Sequence, residues 1–318
     1  MALPEAHLTH RGVIYRPLDR DAGDYAHVVD LQAEIWGPTN VTPASHLIAV
    51  GSCGAILIGA FDDTSGSCIG FCYGFPAHDR GQVWLHSHQT AVSPESRDRQ
   101  VGETLKWLQR ALALDAGYEH ITWTFDPLQA RNAHINLEKL GGTCRRYLVD
   151  YYGPMRDPLN EGLPTDRLWL DWPLRAARVR RRFAGYVARS GIEWPAALGG
   201  GATDTPSAPD PHTPSSPASA FSTVWSDVDV TLPAGEPRLD LDAVAVVVEV
   251  PADLSRVRAR LGVDAASLWR LHVRRAFLAY LDRGYVVAGF RRWDDDRGRR
   301  GGHVLVDPAQ LRPAAGGM

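Results

Sequence analysis

The segment at residues 83–114 constrains this chain most. Residues 83–92 (Val-Trp-Leu-His-Ser-His-Gln-Thr-Ala-Val) read as a strand, and Leu105, Leu108, Leu112 and Leu114 follow at roughly helical spacing. Between them lies a short polar turn, and Gly102 stands in the first turn of the helix. A strand, a turn and a helix N-terminus with a glycine form a place for a pyrophosphate. Free backbone N–H groups point at the anion, the helix dipole adds attraction, and a glycine lets the backbone approach. Arg97 and Arg99 add positive charge in the turn. Alone, the pattern is weak, because many such units hold glycine and arginine for packing and solubility.

A second unit of the same kind follows at once. Residues 121–128 (Ile-Thr-Trp-Thr-Phe-Asp-Pro-Leu) read as a strand ending in a turn, with Asp126 as N-cap and Pro127 as first helical residue. The helix is expected over residues 128–140, stopped by Gly141 and Gly142. Two strand–helix units in tandem make the two strands parallel neighbours. Where such strands splay, a thin arm of a ligand can enter between them.

The rest of the chain fits a mixed α/β class. A strand is expected at residues 13–18, a helix at 25–36 ending at Gly37-Pro38, a short helix at 43–49, and a hairpin from 55–61 and 68–75. Strands at 144–152 and 167–172 close this sheet. An arginine-rich helix over 174–190 reads as a solvated connection. Residues 197–220 change sharply to Gly, Pro, Ser, Thr, Ala and Asp, which reads as a flexible linker. The expected organisation is thus a first domain at 13–174, a connecting helix at 175–196, the linker at 197–220, and a smaller αβ unit at 240–307. In that last unit a strand (243–250), a helix (264–283) and a hairpin (285–290 with 303–306) are expected. The helix carries Trp269, Val273, Phe277 and Leu281 as a core stripe, and beside it Arg270 and Arg274 as a solvated pair or one that reaches a carboxylate on a partner or substrate. This unit has three roles open to it: to cap a site, to pair subunits into a homodimer, or to complete the sheet.

Composition bounds the function. With 34 basic and 37 acidic residues the net charge is −3, which argues against nucleic acid as the main partner. No apolar run is long enough to span a bilayer and no signal-peptide pattern opens the chain, so a cytoplasmic protein without a membrane partner is expected. Cys53, Cys68, Cys72 and Cys144 lack zinc spacing and read as reduced thiols, with no metal. Lys106 and Lys139 are the only lysines among many arginines. An arginine-favouring composition accounts for the bias, and a cation at the helix end suits Lys139.

The order strand, R-x-x-(G)-x-G, helix, strand, then a helix with an early Asn and Lys-Leu-Gly resembles the GNAT (GCN5-related N-acetyltransferase) superfamily. It is closer to a branch of acyltransferases whose pattern here is Leu85-His86-Ser87-His88, Leu105-Lys106, Gln109-Arg110, and Trp123-Thr124-Phe125-Asp126-Pro127-Leu128. The pattern continues through Asn132-Ala133, Asn136, Lys139-Leu140-Gly141, Tyr152-Gly153, Asp157, Asn160, Gly162-Leu163-Pro164 and Asp166-Arg167. The resemblance covers about residues 13–174 and, less tightly, 246–290. It implies the GNAT acetyltransferase fold, acetyl-CoA or another acyl-CoA as co-substrate, and a small-molecule amine as acceptor.

It also implies a set of site residues. The backbone of Ala91, Val92 and Ser93 would bind the pantetheine arm and the thioester oxygen. Arg97, Asp98, Arg99, Gln100, Val101, Gly102 and Glu103 would hold the pyrophosphate, and Asn132 and Asn136 the arm. His86 and His88, two apart on a strand and so on one side, are the candidate bases. Two departures stand out: Gln100 replaces the first glycine of the loop, which narrows it, and Leu137 stands where many relatives place a general-acid tyrosine. Water, or Tyr151 or Tyr152, would then protonate the leaving thiolate, or the thiolate would leave unassisted. Trp123 is either core or pocket lining, and Asp157, Asn160, Asp166 and Arg167 are candidate substrate contacts suited to an amino-acid acceptor. The function implied is transfer of an acetyl or succinyl group to an amine. A non-catalytic coenzyme-binding or scaffold protein is the alternative, and a peptide acceptor would demand an open groove.

Overall fold

The computed structural model describes residues 7–97, 99–155, 162–198, 217–226 and 228–308. In chain order, strands β1 (Leu8–His10) and β2 (Val13–Pro17) precede helices α1 (Asp24–Trp36) and α2 (Ala44–Gly51). Strands β3 (Ile56–Asp62), β4 (Cys68–Asp79) and β5 (Gln82–Val92) lead into α3 (Val101–Asp115), and β6 (His120–Phe125) into the short α4 (Ala130–Ala133). Then come β7 (Thr143–Leu148), β8 (Arg167–Pro173) and α5 (Ala177–Ser190). The remaining elements are β9 (Ala218–Ser219), β10 (Ser222–Trp225), β11 (Thr231–Ala234), β12 (Ala245–Val250), α6 (Leu254–Asp282), β13 (Val286–Asp295) and β14 (Gly298–Val306). This is a mixed α/β protein. No helix among the described residues is long and apolar enough to cross a membrane.

The chain forms two compact units, residues 1–123 with 172–206, and residues 124–171 with 207–318. The division falls inside β6 and β8 and not only at the Gly/Pro/Ser-rich segment. In the first unit β1 to β5 pair antiparallel in sequence order, and β6 pairs parallel with β5. β3 is buried along nearly its whole length, which fits its continuous apolar sequence. One face of this sheet is covered by α1 and α2 through Val28, Leu31 and Leu47, packed with Leu57, Phe71, Tyr73 and Ala91. On α3, twelve of fifteen residues are buried, polar ones included. The reason is α5, which lays Phe183 and Tyr186 against Trp107 of α3 at ring distances of 5.2 and 6.1 Å. Expected as a solvated connection, α5 is instead an element of the first unit's core. Its arginines are spaced so that Val179, Phe183 and Tyr186 share one buried face.

In the second unit the strand order is β8, β7, β13, β14, β12, β9. A single register pair, Val287 with Cys144, joins β13 to β7, so the C-terminal hairpin extends the β7–β8 sheet. Completing a sheet, one of the roles open to the C-terminal region, is thereby present. Residues 199–216 of the expected linker lie outside the described residues, but its end does not behave as linker. Ala218 and Ser219 pair with β12, and Ala220 and Phe221 are buried. The hairpin is also longer than its apolar residues suggest. Its charged tip is held by cross-strand ion pairs: Arg299 with the directly opposite Asp294 at 3.5 Å, and Arg300 with the diagonal Asp295 at 2.9 Å. Asp295 Oδ1 accepts the N–H groups of Arg297 and Gly298, closing the turn.

The arginine pair of α6 corrects its expectation. Arg270 is 2 % exposed and holds both carboxylate oxygens of Asp126 at 2.7 Å. Arg274 holds both oxygens of Asp166 at 2.8 Å. Asp126 is therefore not the N-cap of α4, which starts at Ala130 after Gln129; its side chain accepts the Leu128 N–H at 2.8 Å and serves Arg270. After α4, residues His134–Lys139 wind as a π-helix. A buried bidentate pair is costly to break from one side, since the remaining charge is stranded. Arg270→Met is expected to lower unfolding free energy by about 3–5 kcal/mol, and Arg270→Met with Asp126→Asn to recover much of that loss, measured by chemical denaturation.

Candidate functional site

The first unit builds its candidate site on β5. Opposite β4, the register steps from Tyr73↔Gln89 to Gly74↔Ser87, so His88 is an extra residue, a β-bulge. Counting by twos back from Ala91 would put residues 89, 87 and 85 on the α1–α2 face and both histidines on the α3 face. The bulge reverses this. Ser87 turns to α3, where its hydroxyl accepts from Lys106, and His86 and His88 turn to the α1–α2 face. There both rings lie on Phe75, at 5.5 and 5.8 Å. The shared side expected for them is present.

His88 meets Tyr73 edge to face at 5.9 Å, and the Tyr73 hydroxyl shares a 3.2 Å hydrogen bond with His46 Nε2 from α2. Nothing local in sequence ties α2 to β4, so His46 and Tyr73 carry no sequence signal for this cluster. Desolvation on these rings lowers the His88 pKa, and His46 adds a smaller push in the same direction. His86 is lowered to about 4, first by burial and then by His88 and Lys106. The Thr122 hydroxyl accepts from Trp84 Nε1 at 3.0 Å and has its own proton for His86 Nδ1, also at 3.0 Å. Both imidazoles are thus neutral at neutral pH, with His88 the exposed one.

The other edge of β5 is open. Parallel pairing with β6 is confined to Leu85↔Ile121 and His86↔Thr122. Ser93 N–H bonds Ile69 O at 2.9 Å on the β4 side. Alternation then turns the backbone of Ala91 toward β4, and that of Thr90 and Val92 away from it, onto the open edge. The N–H groups of Thr90 and Val92 thus face the open edge, and that of Ala91 faces β4.

The open edge runs into the N-terminus of α3. Its cap, Gln100, makes no side-chain capping bond and sits at φ 64°, ψ 12°, the left-handed conformation that glycine adopts freely. So the residue in the glycine position keeps the glycine backbone, and its Oε1 is buried without a hydrogen-bond partner. A Cβ at Gly102 would meet only Val92 Cγ2, at 3.5 Å, so space is open beside the first turn. Arg97 is exposed. Arg99 bends toward the Arg11 carbonyl at 3.2 Å and Asp62 at 3.7 Å, and Glu103 is buried in an ion pair with Arg189. Val101 is buried core. Asp98, Asp157 and Asn160 lie outside the described residues.

Lys106 sits behind this strand. Its ammonium donates to Ser87 Oγ at 2.9 Å and Gln109 Oε1 at 2.8 Å, and lies 3.8 Å over the Trp123 ring, with Trp172 at 5.6 Å. Among the described residues it pairs with no carboxylate. Burial lowers its pKa to about 8, partly opposed by Cys72. Trp123 thereby proves to be 7 % exposed and part of this cage, not a pocket wall.

The remaining expected site residues belong to the second unit. Asn132 is exposed and Asn136 buried on the helical turns after β6. Tyr152 is exposed, and its hydroxyl shares a 3.0 Å hydrogen bond with Thr124. Arg167 is buried, donates to the Asp166 carbonyl at 2.9 Å and lies 5.3 Å from the Tyr152 ring centre. Asp166 is 0 % exposed, and its carboxylate is filled by Arg274, the Tyr147 hydroxyl at 2.7 Å and the Asp150 N–H at 3.0 Å. An ammonium would find no free oxygen there. No group of His, Cys, Asp and Glu able to hold a metal was found among the described residues.

No family model matches the chain, and no curated protein matches it. Among solved structures, it is similar to an aminoglycoside 6'-acetyltransferase type Ii (18 % identity, TM-score 0.41, 51 % of this chain and 97 % of that one). It is also similar to an aminoglycoside 6'-N-acetyltransferase complexed with coenzyme A (16 %, TM-score 0.40, 51 % and 97 %). A third is the ribosomal-protein-S5-alanine acetyltransferase from Vibrio fischeri (11 %, TM-score 0.43, 54 % and 97 %). Each likeness spans about half of this chain.

Two outcomes are expected here. Gln100→Gly relieves the left-handed strain and removes an unpaired buried oxygen, for a gain of up to about 1 kcal/mol in denaturant unfolding. For Lys106, the folded chain gives up its proton near pH 8 and the unfolded chain near 10.5. Between those values the unfolded state holds the extra proton, so stability rises with pH, by about 3 kcal/mol in all. Denaturation of Lys106→Met across the same window should lack that rise.

Proposed function

We propose that this protein is an acyl-CoA-dependent N-acyltransferase, transferring an acetyl or succinyl group to the amine of a small molecule such as an amino acid. The observation that carries this reading is the open edge of β5, from the bulge at His88 to Val92, running directly into the uncapped first turn of α3. That edge offers backbone N–H groups to a pantetheine amide and to a thioester oxygen, and the helix turn offers N–H groups to a pyrophosphate. Arg97 stands exposed at the same turn and supplies positive charge.

In the reaction, the amine nitrogen attacks the thioester carbon. A backbone N–H of the β5 edge stabilises the oxyanion, and the C–S bond breaks to release the thiolate as the amide forms. The proton lost by the amine goes to His88, an exposed residue that the bulge turns to the side of α1 and α2. His86 serves as its neutral, half-buried neighbour and packs on the same Phe75 ring at 5.5 Å. Water reprotonates the thiolate. The acceptor class rests on the family resemblance.

Titration calorimetry with coenzyme A, acetyl-CoA and succinyl-CoA tests the binding half of this reading, and saturable binding of at least one is expected. Absence of binding by all three would favour the scaffold reading. His88→Ala should keep that binding and lose roughly 10²–10⁴-fold in kcat. A base with a lowered pKa stays unprotonated further into acid, so the acid limb of kcat/KM should fall below pH 6.5, the ordinary histidine value.

A further inference from the structure

Helix α6 breaks at Gly262 (φ 84°, ψ −177°), and the long segment beyond it has two apolar faces. One face, with Trp269, Val273, Ala276, Phe277 and Tyr280, is buried within the second unit. On the opposite face Leu268, Leu271 and Leu278 are 37, 51 and 43 % exposed. Asp264 and Arg275 are exposed on the same line. The order Asp264, Leu268, Leu271, Arg275, Leu278 steps by four, three, four and three residues, the heptad spacing of a coiled-coil seam. Exposed leucines at that spacing, on a helix already packed by its other face, mark an interaction surface.

The line is also self-complementary when reversed. Set two such segments antiparallel about a two-fold axis midway between positions 269 and 270. Leu268 then stands opposite the partner's Leu271, and Leu271 opposite the partner's Leu268. Asp264 stands opposite the partner's Arg275 at both ends of that leucine layer, and Leu278 extends the seam outward. A two-fold interface requires this reciprocity, residue i on j and j on i. The flanking positions Ala265, Ser267 and Ala279 are small and half-buried, which lets two helices approach to about 8–10 Å. Arg275 bonds Glu236 of its own subunit, and its five-donor fork can serve a second carboxylate as well.

We propose that this face of α6 pairs antiparallel with the same face of a second copy of the chain, joining two subunits through Leu268 and Leu271 and two Asp264–Arg275 ion pairs. The proposal is independent of the acyltransferase reading. It is tested on the full chain by sedimentation velocity over a concentration series, with circular dichroism to show that each variant is folded. The unaltered protein should sediment as a dimer at tens of micromolar. Asp264→Arg and Arg275→Asp each set like charges opposite one another and should weaken dimerisation at least tenfold. The double variant Asp264→Arg with Arg275→Asp restores opposite charges and should restore the dimer. Leu271→Glu should give a folded monomer. A monomeric unaltered protein, a dimer indifferent to the folded single variants, or a folded double variant that stays monomeric would each overturn the proposal.

Discussion

The one-residue step in the pairing of β4 with β5 governs the first unit. It costs one ladder position and reverses the faces of the strand's N-terminal half relative to its C-terminal half. Without it, His86 and His88 would point into α3, and Ser87 would point away from Lys106. With it, the imidazoles gather with Tyr73, Phe75 and His46, and the small hydroxyl meets the buried ammonium. Parallel pairing with β6 ends at His86, beside the bulge, so the strand bend and the open backbone edge occur together.

Buried carboxylates take arginine partners in both units, as Glu103 does with Arg189, but the buried ammonium of Lys106 is handled differently. In the second, each buried carboxylate of Asp126 and Asp166 has a bidentate arginine from α6, so charge and hydrogen bonds are satisfied at once. In the first, Lys106 is held by a hydroxyl, an amide oxygen and a tryptophan face. Neutral partners stabilise an ammonium less than a carboxylate does, and the group responds by giving up its proton more easily. A planar guanidinium would not fit three partners arranged about a single nitrogen, which is a physical reason for one of two lysines in an arginine-rich chain to stand here.

Much of this was legible locally. The apolar spacing of residues 105–114 and the continuous apolar run of β3 each report a short-range preference, and both elements formed where expected. The polar residues of α6 and α5 were misread for one reason. Arg270, Arg274 and the buried side of α5 look solvent-facing because charge is usually exposed, and only partners distant in sequence reveal otherwise. Asp126 resembles a helix cap by its neighbours, and its partner lies 144 residues away. The charged hairpin tip of β13 and β14 was hidden for the same reason, since its cross-strand ion pairs need both strands in place.

By itself, the sequence determined the mixed α/β class, the strand–turn–helix units and the shared side of His86 and His88, because periodicity of two or 3.6 residues is a property of the chain alone. Tertiary structure decided which face that shared side is, since a bulge is defined only against a partner strand. It decided that Gln100 keeps the backbone of a glycine, and that Asp166 is filled by Arg274 before any ligand arrives. It also left one heptad line of α6 uncovered, because a helix buries the face its neighbours can reach and exposes the other.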